Sequence, residues 1–271
     1  MTGSAPAIAF EDVSKSFDHG RVVAVDGVSL SVTQGEFLAV VGGSGSGKTT
    51  LLRLANRLID ADAGAVRIGG NDVRSLDPIA LRRRIGYVFQ SGGLFPHMTI
   101  AGNIGITPHL LGAPAADIAT RVDELLDLVR LDRSRHRDRF PHELSGGQRQ
   151  RVGVARALAA KPDIVLMDEP FGALDPLTRD ALGEDYSRLH GELGLTTVMI
   201  THDMAEAVLL ADRIAVMRDG RLLAQGTPEQ LADSRDPYVQ DLLRTPRRQA
   251  ERLQALLPRT PDDEAPTMAP Q

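Results

Sequence analysis

The stretch Gly35 to Leu58, "GEFLAVVGGSGSGKTTLLRLANRL", decides the fold. Its apolar run ends at Val40 and Val41 and reads as a strand, the glycines make a sharp turn, and "KTTLLRLANRL" carries its apolar residues at helical spacing. Between strand and helix, Gly42, Gly47, Lys48 and Thr49 match the pattern G-x-x-x-x-G-K-[ST]. The small residues Gly42, Gly43, Ser44, Gly45, Ser46 and Gly47 let backbone N–H groups wrap phosphates, and the helix that opens at Lys48, Thr49 and Thr50 attracts negative charge to its N-terminus. Lys48 is placed to bridge the terminal phosphates of a nucleotide and the Thr49 hydroxyl to reach a Mg2+ ion. A merely flexible glycine turn is the bland reading, and the strand and helix on either side weigh against it.

Working outward, "DIVLMDEP" (Asp163 to Pro170) is a short apolar run ending in two carboxylates, as expected of a strand buried on both faces of a parallel sheet. Asp168 at its C-terminal end is a candidate for the metal shell, and Glu169 for polarising an attacking water. Gln90 follows the apolar strand "IGYVF", and His202 follows "TTVMIT". Parallel sheets open toward their ligands at the C-terminal strand ends. There Gln90 can offer an amide oxygen to the metal and His202 can donate to a γ-phosphate. Singly, each polar side chain is more often solvated or structural; four of them at successive strand ends reverse that weighting.

A second glycine-rich stretch, "LSGGQRQR" (Leu144 to Arg151), precedes a helical run. Ser145 can donate its hydroxyl, and Gly146 and Gly147 expose N–H groups where a helix begins near Gln148. By itself this stretch reads as an N-cap turn.

Composition bounds the rest. The chain has 271 residues, 42% of them hydrophobic, enough for a proper core. It has no cysteine, which excludes disulfides, thiolate metal sites and cysteine nucleophiles. A net charge of -5 provides no overall basic field for nucleic acid, and the clusters "LRRRIG" and "RTPRRQ" read as solvated faces. No signal-peptide pattern opens the chain, and no window approaches the roughly 18 uninterrupted apolar residues of a membrane span, so a cytoplasmic location is expected. Lysine occurs only at 15, 48 and 161.

The organisation predicted is α/β: a P-loop core of mostly parallel sheet flanked by helices, with an N-terminal antiparallel β subdomain and an inserted helical subdomain at about 91–160. "AIAFEDVSKSF", "VVAVDGVSLSV" and "GAVRIGGNDV" read as β-type runs, and "RIAVMRDGRLLAQG" as a hairpin around Asp219 and Gly220. In the insertion, "AADIATRVDELLDLVRL" places Ile118, Val122, Leu125, Leu126 and Val129 on one helix face. Residues 1–244 are assigned to one domain and 245–271 to a short tail, with one amphipathic segment and a Pro and acid-rich end expected to be disordered.

The ordered set "GGSGSGKTT", Gln90, "LSGGQ", "LMDEP", "ALD" and "THD" resembles the ATP-binding subunit of ABC transporters from about Ala7 to Leu231. The resemblance implies ATP and Mg2+ as ligands, with Phe17 stacked on adenine. It implies pairing with a second copy, in which Ser145, Gly146, Gly147 and Gln148 face the γ-phosphate held by the other subunit and Asp175 of "ALDP" lies between the two nucleotide sites. It also implies membrane permease subunits as partners, met by "SGGLFPHMTIAGNI", and indirectly a substrate-binding protein. One departure is Gly43, where importer loops of this family usually carry proline or another residue. Soluble ABC proteins of translation or repair carry a second cassette or a coiled-coil insertion, neither of which is visible here, and a small-molecule kinase has no use for "LSGGQ". "SGGLFPHMTIAGNIGITPHLLG" and "DPYVQDLL" look most like importers of osmoprotectant quaternary amines such as glycine betaine, choline and carnitine. Import of an amino acid or sulfonate is the alternative. Too few residues follow the cassette for the paired regulatory CBS domains that many such importers carry.

Overall fold

The computed structural model describes residues 5–90 and 92–256. Two sheets carry the structure. The smaller is antiparallel and contains β1 (Ile8–Phe17), β2 (Val22–Val32), β4 (Ala63–Ile68) and β5 (Asn71–Asp72), in the order β2-β1-β4-β5. The larger is built on β3 (Phe37–Val41), with β6 (Ile85–Val88), β7 (Ile164–Asp168), β8 (Thr196–Thr201), β9 (Arg213–Arg218) and β10 (Arg221–Gly226). Its order is β10-β9-β3-β8-β7-β6, parallel throughout except for the terminal hairpin β9-β10.

The apolar runs of this sheet explain its position. Every residue of β3 and β7 is buried, and their side chains alternate between two cores. Phe37, Ala39, Val41, Val165 and Met167 face one core, while Leu38, Val40, Ile164 and Leu166 face the other. Period-two alternation with both faces covered is what a continuous Val/Ile/Leu run requires in a parallel sheet. The second core lies against the small sheet and α1 (Lys48–Ala55), through residues such as Leu51, Leu52, Ile8 and Val13.

The first core lies against helices from the middle of the chain: α3 (Ile100–Leu110), α4 (Ala115–Leu128) and α6 (Gly146–Leu158), with the short α5 (Arg133–His136) between them. The expected face of α4 is seen: Val122, Leu125, Leu126 and Val129 are buried, and Ile118 packs against the same core. The remaining helices are α2 (Pro78–Arg83), α7 (Pro176–Leu193), α8 (Met204–Leu210), α9 (Pro228–Ala232) and α10 (Pro237–Leu256).

A break at 244 falls inside α10, which starts at Pro237 and continues to Leu256, taking in "RTPRRQ". Val239 buries the start of this helix in the first core, so the segment is anchored before the expected tail begins. The acid-rich end expected to be disordered lies outside the described residues. Among the described residues no helix is long and apolar enough to cross a membrane.

Candidate functional site

Parallel pairing brings four strand ends to one edge of the large sheet. Val41 pairs with Thr201, Asp168 with Ile200, and Val88 with Met167. The residues that follow or close these strands are therefore neighbours, although the chain separates them widely.

The loop from Gly42 to Gly47 leaves β3 and delivers the chain into α1. Two of its glycines are required by space. A Cβ on Gly42 would lie 2.2 Å from the Met217 carbonyl oxygen, and one on Gly47 2.1 Å from that of Ala24. Gly47 also has φ +96, the left-handed region that a side chain disfavours. Lys48 folds back over the loop, its Nζ donating to the carbonyl oxygens of Gly42 and Gly43, both at 2.8 Å. Burial lowers the Lys48 pKa, an effect opposed by the nearby carboxylates Glu169 and Asp168.

Thr49 Oγ1 donates to Asp168 Oδ1 at 3.1 Å, joining α1 to the end of β7. Asp168 is buried, and burial raises its pKa against the hydrogen bond from Thr49 and the positive charge of Arg53. Glu169, the next residue, adopts φ +46, an uncommon conformation for a side-chain-bearing residue. Its backbone N–H donates to Ile200 O at 2.9 Å. Its carboxylate is gripped from two strands: Gln90 Nε2 donates to Oε2 at 2.9 Å, and His202 Nδ1 lies 3.5 Å from Oε1. The structure thus joins Lys48, Thr49, Gln90, Asp168, Glu169 and His202 in one cluster.

Phe17 ends β1 and is 41% exposed, so it is not a core residue. Lys15 Nζ lies 5.7 Å from its ring centroid and also bonds Asp62 Oδ1 at 2.7 Å.

The "LSGGQ" residues make their contacts elsewhere. Ser145 caps α6 through a reciprocal pair: its hydroxyl accepts the Gln148 N–H at 3.2 Å, and Gln148 Oε1 accepts the Ser145 N–H at 2.9 Å. The N-cap reading is therefore correct as far as one chain goes. A Cβ on Gly147 would stand 3.2 Å from Leu174, which places this turn beside "ALDP". There Asp175 caps α7, accepting the Thr178 N–H at 3.0 Å, and that bonding lowers its pKa.

Beyond Gln90 the chain forms an apolar surface. Phe95 is 43% exposed, with Pro96 and His97 also exposed. Beneath it, buried Asn103 accepts the Phe95 N–H and donates to the carbonyls of Phe95, Met98 and Thr99. Buried Arg156 donates to the carbonyls of Gly92 and Gly93 and lies under the rings of Phe89 and Phe95. The exposed aromatics are held by this hydrogen-bonded scaffold, and they border a groove of about 380 Å3 with Tyr87, Ile106 and Leu110.

The ABC transporter family model matches residues 25–172, more than half of the chain. The chain belongs to the ABC transporter family. The cassette is 48% identical to the choline transport ATP-binding protein OpuBA of Bacillus subtilis over 237 residues, 87% of this chain and 62% of that protein. It is 50% identical to the glycine betaine uptake system ATP-binding protein YehX of Escherichia coli over 221 residues, 82% of this chain and 71% of that one. The cassette thus spans 62% and 71% of the length of these two curated relatives. Among solved structures, a dimeric ATP-binding cassette in a post-hydrolysis state bound to ADP and Pi matches with a TM-score of 0.76 at 32% identity, covering 81% of this chain and 98% of that one.

Two features of the cassette's site escaped the reading of the sequence. One is the left-handed backbone at Glu169, which no local signal encodes. The other is Tyr238, whose hydroxyl accepts the Gly43 N–H at 2.9 Å from 195 residues away. The one local signal that could have drawn attention to it is the aromatic in "DPYVQDLL".

Proposed function

We propose that the cassette binds Mg-ATP, closes against a second copy and hydrolyses ATP to energise import of a small organic solute through a separate membrane permease. The linked cluster at the strand ends, Thr49 to Asp168 and Gln90 to Glu169 to His202, carries this reading. On this reading Phe17 presents its ring to the base, and the N–H groups from Ser44 to Thr50 face the phosphates. Lys48 exchanges the Gly42 and Gly43 carbonyls for phosphate oxygens.

The Thr49 hydroxyl and the buried Asp168 carboxylate, 3.1 Å apart, form a hard oxygen pair of the kind Mg2+ takes alongside phosphates. With Gln90 Nε2 engaged by Glu169, its Oε1 is the third oxygen suited to the ion. Bound there, Mg2+ neutralises charge on the phosphate oxygens. Glu169 takes the proton of the attacking water, and His202 donates to the γ-phosphate. Gln90 joins this chemistry to the apolar groove, because the chain runs directly from it into the Gly92–His97 segment. Catalysis is then positioning and charge stabilisation, as phosphoryl transfer demands.

The second copy supplies Ser145, Gly146, Gly147 and Gln148 to the γ-phosphate, with Asp175 between the sites. The permease docks on the Phe89 and Phe95 groove, which places the cassette on the inner face of the membrane, and a substrate-binding protein feeds the permease. The solute is a quaternary amine osmoprotectant, a choice supported by what the relatives' names say they transport. Affinity purification from membranes, followed by ligand binding to the co-encoded binding protein, tests it. Recovery of a permease and tight binding of choline or glycine betaine is the expected result. Recovery with ribosomes or DNA and no permease would overturn the transport reading.

A further inference from the structure

We infer that Tyr238, at the start of α10, is a positioning residue for the phosphate-binding loop; the inference rests on the ATP reading above. The Gly43 N–H donates to the Tyr238 hydroxyl at 2.9 Å. The Gly43 carbonyl, on the other side of the same residue, accepts Lys48 Nζ at 2.8 Å and the Ser46 N–H at 3.3 Å. Gly43 is therefore held by the loop itself through its oxygen, and by the C-terminal helix through its nitrogen.

The hydroxyl is itself well supported. Asp236 Oδ1 accepts the N–H groups of Tyr238 and Val239, at 2.8 and 3.2 Å, and fixes the first turn of α10. Val239 is fully buried in the core that contains Val41, the last residue before the loop. The Arg218 guanidinium lies 4.9 Å from the Tyr238 ring centroid. Arg218 closes β9, the strand paired with β3, so the ring is clamped from the sheet that launches the loop.

Two successive glycines, Gly42 and Gly43, give this segment the most conformational freedom a chain can have. A tie from outside the loop removes part of that freedom before any ligand arrives, which strengthens binding by pre-organisation. When Lys48 leaves the Gly43 carbonyl for phosphate, the Tyr238 bond is the external tie that stays on that residue. Its loss should weaken nucleotide binding while leaving the chemical step, which depends on Glu169 and His202, nearly unchanged. The same bond makes α10 a lever on the nucleotide site.

The test is titration of the full chain with mant-ADP and Mg2+, which measures affinity without turnover, in Tyr238→Phe, Gly43→Pro, Gly43→Ala and the double variants. Tyr238→Phe should weaken mant-ADP by about three- to tenfold, raise the KM for ATP similarly, and leave kcat within about twofold and the melting temperature nearly unchanged. Proline has no N–H to donate, so Tyr238→Phe should add nothing in the Gly43→Pro background. Alanine keeps the N–H, and its Cβ would stand at an ordinary 3.5 Å from the Tyr238 hydroxyl, so the effect should persist there. Faster amide exchange at Gly43 in Tyr238→Phe, seen by NMR, is the expected second readout. Wild type that binds mant-ADP while Tyr238→Phe binds equally well, or an equal loss in the Gly43→Pro background, would overturn this inference alone. Failure of wild type to bind would overturn the ATP reading with it.

Discussion

Gln90 and Glu169, 79 residues apart in the chain, are joined by a 2.9 Å hydrogen bond in which the amide Nε2 donates to Oε2. With His202 Nδ1 at 3.5 Å from the other carboxylate oxygen, Glu169 is oriented from both sides. Its left-handed backbone, φ +46, is the strained element these contacts hold. A general base must stay charged and aimed at its proton. Glu169→Gln should therefore keep ATP affinity, lower turnover at least about 100-fold, and accumulate a closed dimer on size exclusion with ATP. Gln90→Ala leaves the base in place but unoriented on one side and should cost only about tenfold in kcat. Near-normal turnover in Glu169→Gln would remove the base assignment.

Phe17 stands exposed at the end of β1, and among the described residues the Lys15 ammonium lies over its ring at 5.7 Å with no aromatic ring stacked on it. If that face receives adenine, Phe17→Ala should weaken ATP by about tenfold or more, since stacking of a base on an aromatic ring is worth about 1–3 kcal/mol. Phe17→Tyr should restore it. Discrimination between ATP and inorganic triphosphate should fall in parallel, and isothermal titration of both ligands measures this. Equal affinity in Phe17→Ala would leave the ring without a role in binding.

The stretch that carries Phe17 depends on Asp62. That carboxylate accepts Lys15 Nζ at 2.7 Å and both the N–H and hydroxyl of Ser16, at 2.7 and 2.9 Å. These bonds, the one from Lys15 first, hold its pKa down at about 2, against an ordinary 3.8. A depressed carboxylate pKa stabilises the fold above the unfolded value and loses that contribution as pH falls through the folded one. Asp62→Asn should then melt below wild type at pH 7, and the gap should close as the pH falls from about 4 toward 2. Melting curves across that range decide it. A gap that stayed constant with pH would mean that charge is not what Asp62 contributes.

Much of this site was legible because its parts are local. The turn from β3 into α1 needs glycine where a Cβ would strike Met217 or Ala24, and the sequence shows glycine there. Asp168 and His202 follow apolar runs, and run ends in a parallel sheet converge on one edge. What could not be read depends on long-range packing. Tyr238 reaches Gly43 only because Val239 buries in a core assembled from the whole chain. The continuity of α10 through 244 was hidden for the same reason: the polar texture of "RTPRRQ" begins after the helix has already been anchored. Ser145 was ambiguous for a different reason. Cap and phosphate ligand use the same hydroxyl and N–H groups, so one chain shows the cap and only a pair of chains can show the other role.

That ambiguity yields the sharpest prediction. If Ser145 and Gly146 serve the loop of a second copy, defects in the two half-sites should complement. Lys48→Ala spoils the phosphate loop and Ser145→Arg spoils the capping turn that faces it, and each variant alone should lack ATPase activity. In a mixed dimer both lesions fall on one composite site, and the other site receives an intact loop from one chain and an intact "LSGGQ" from the other. With random pairing, half of the dimers are mixed and each has one of two sites intact, so mixing should restore about a quarter of the wild-type rate. Ser145→Arg alone should still bind mant-ATP, because its own phosphate loop is unaltered. A mixture as inactive as its components, with mixed dimers shown to form by differential tagging, would mean that Ser145 does no more than cap α6.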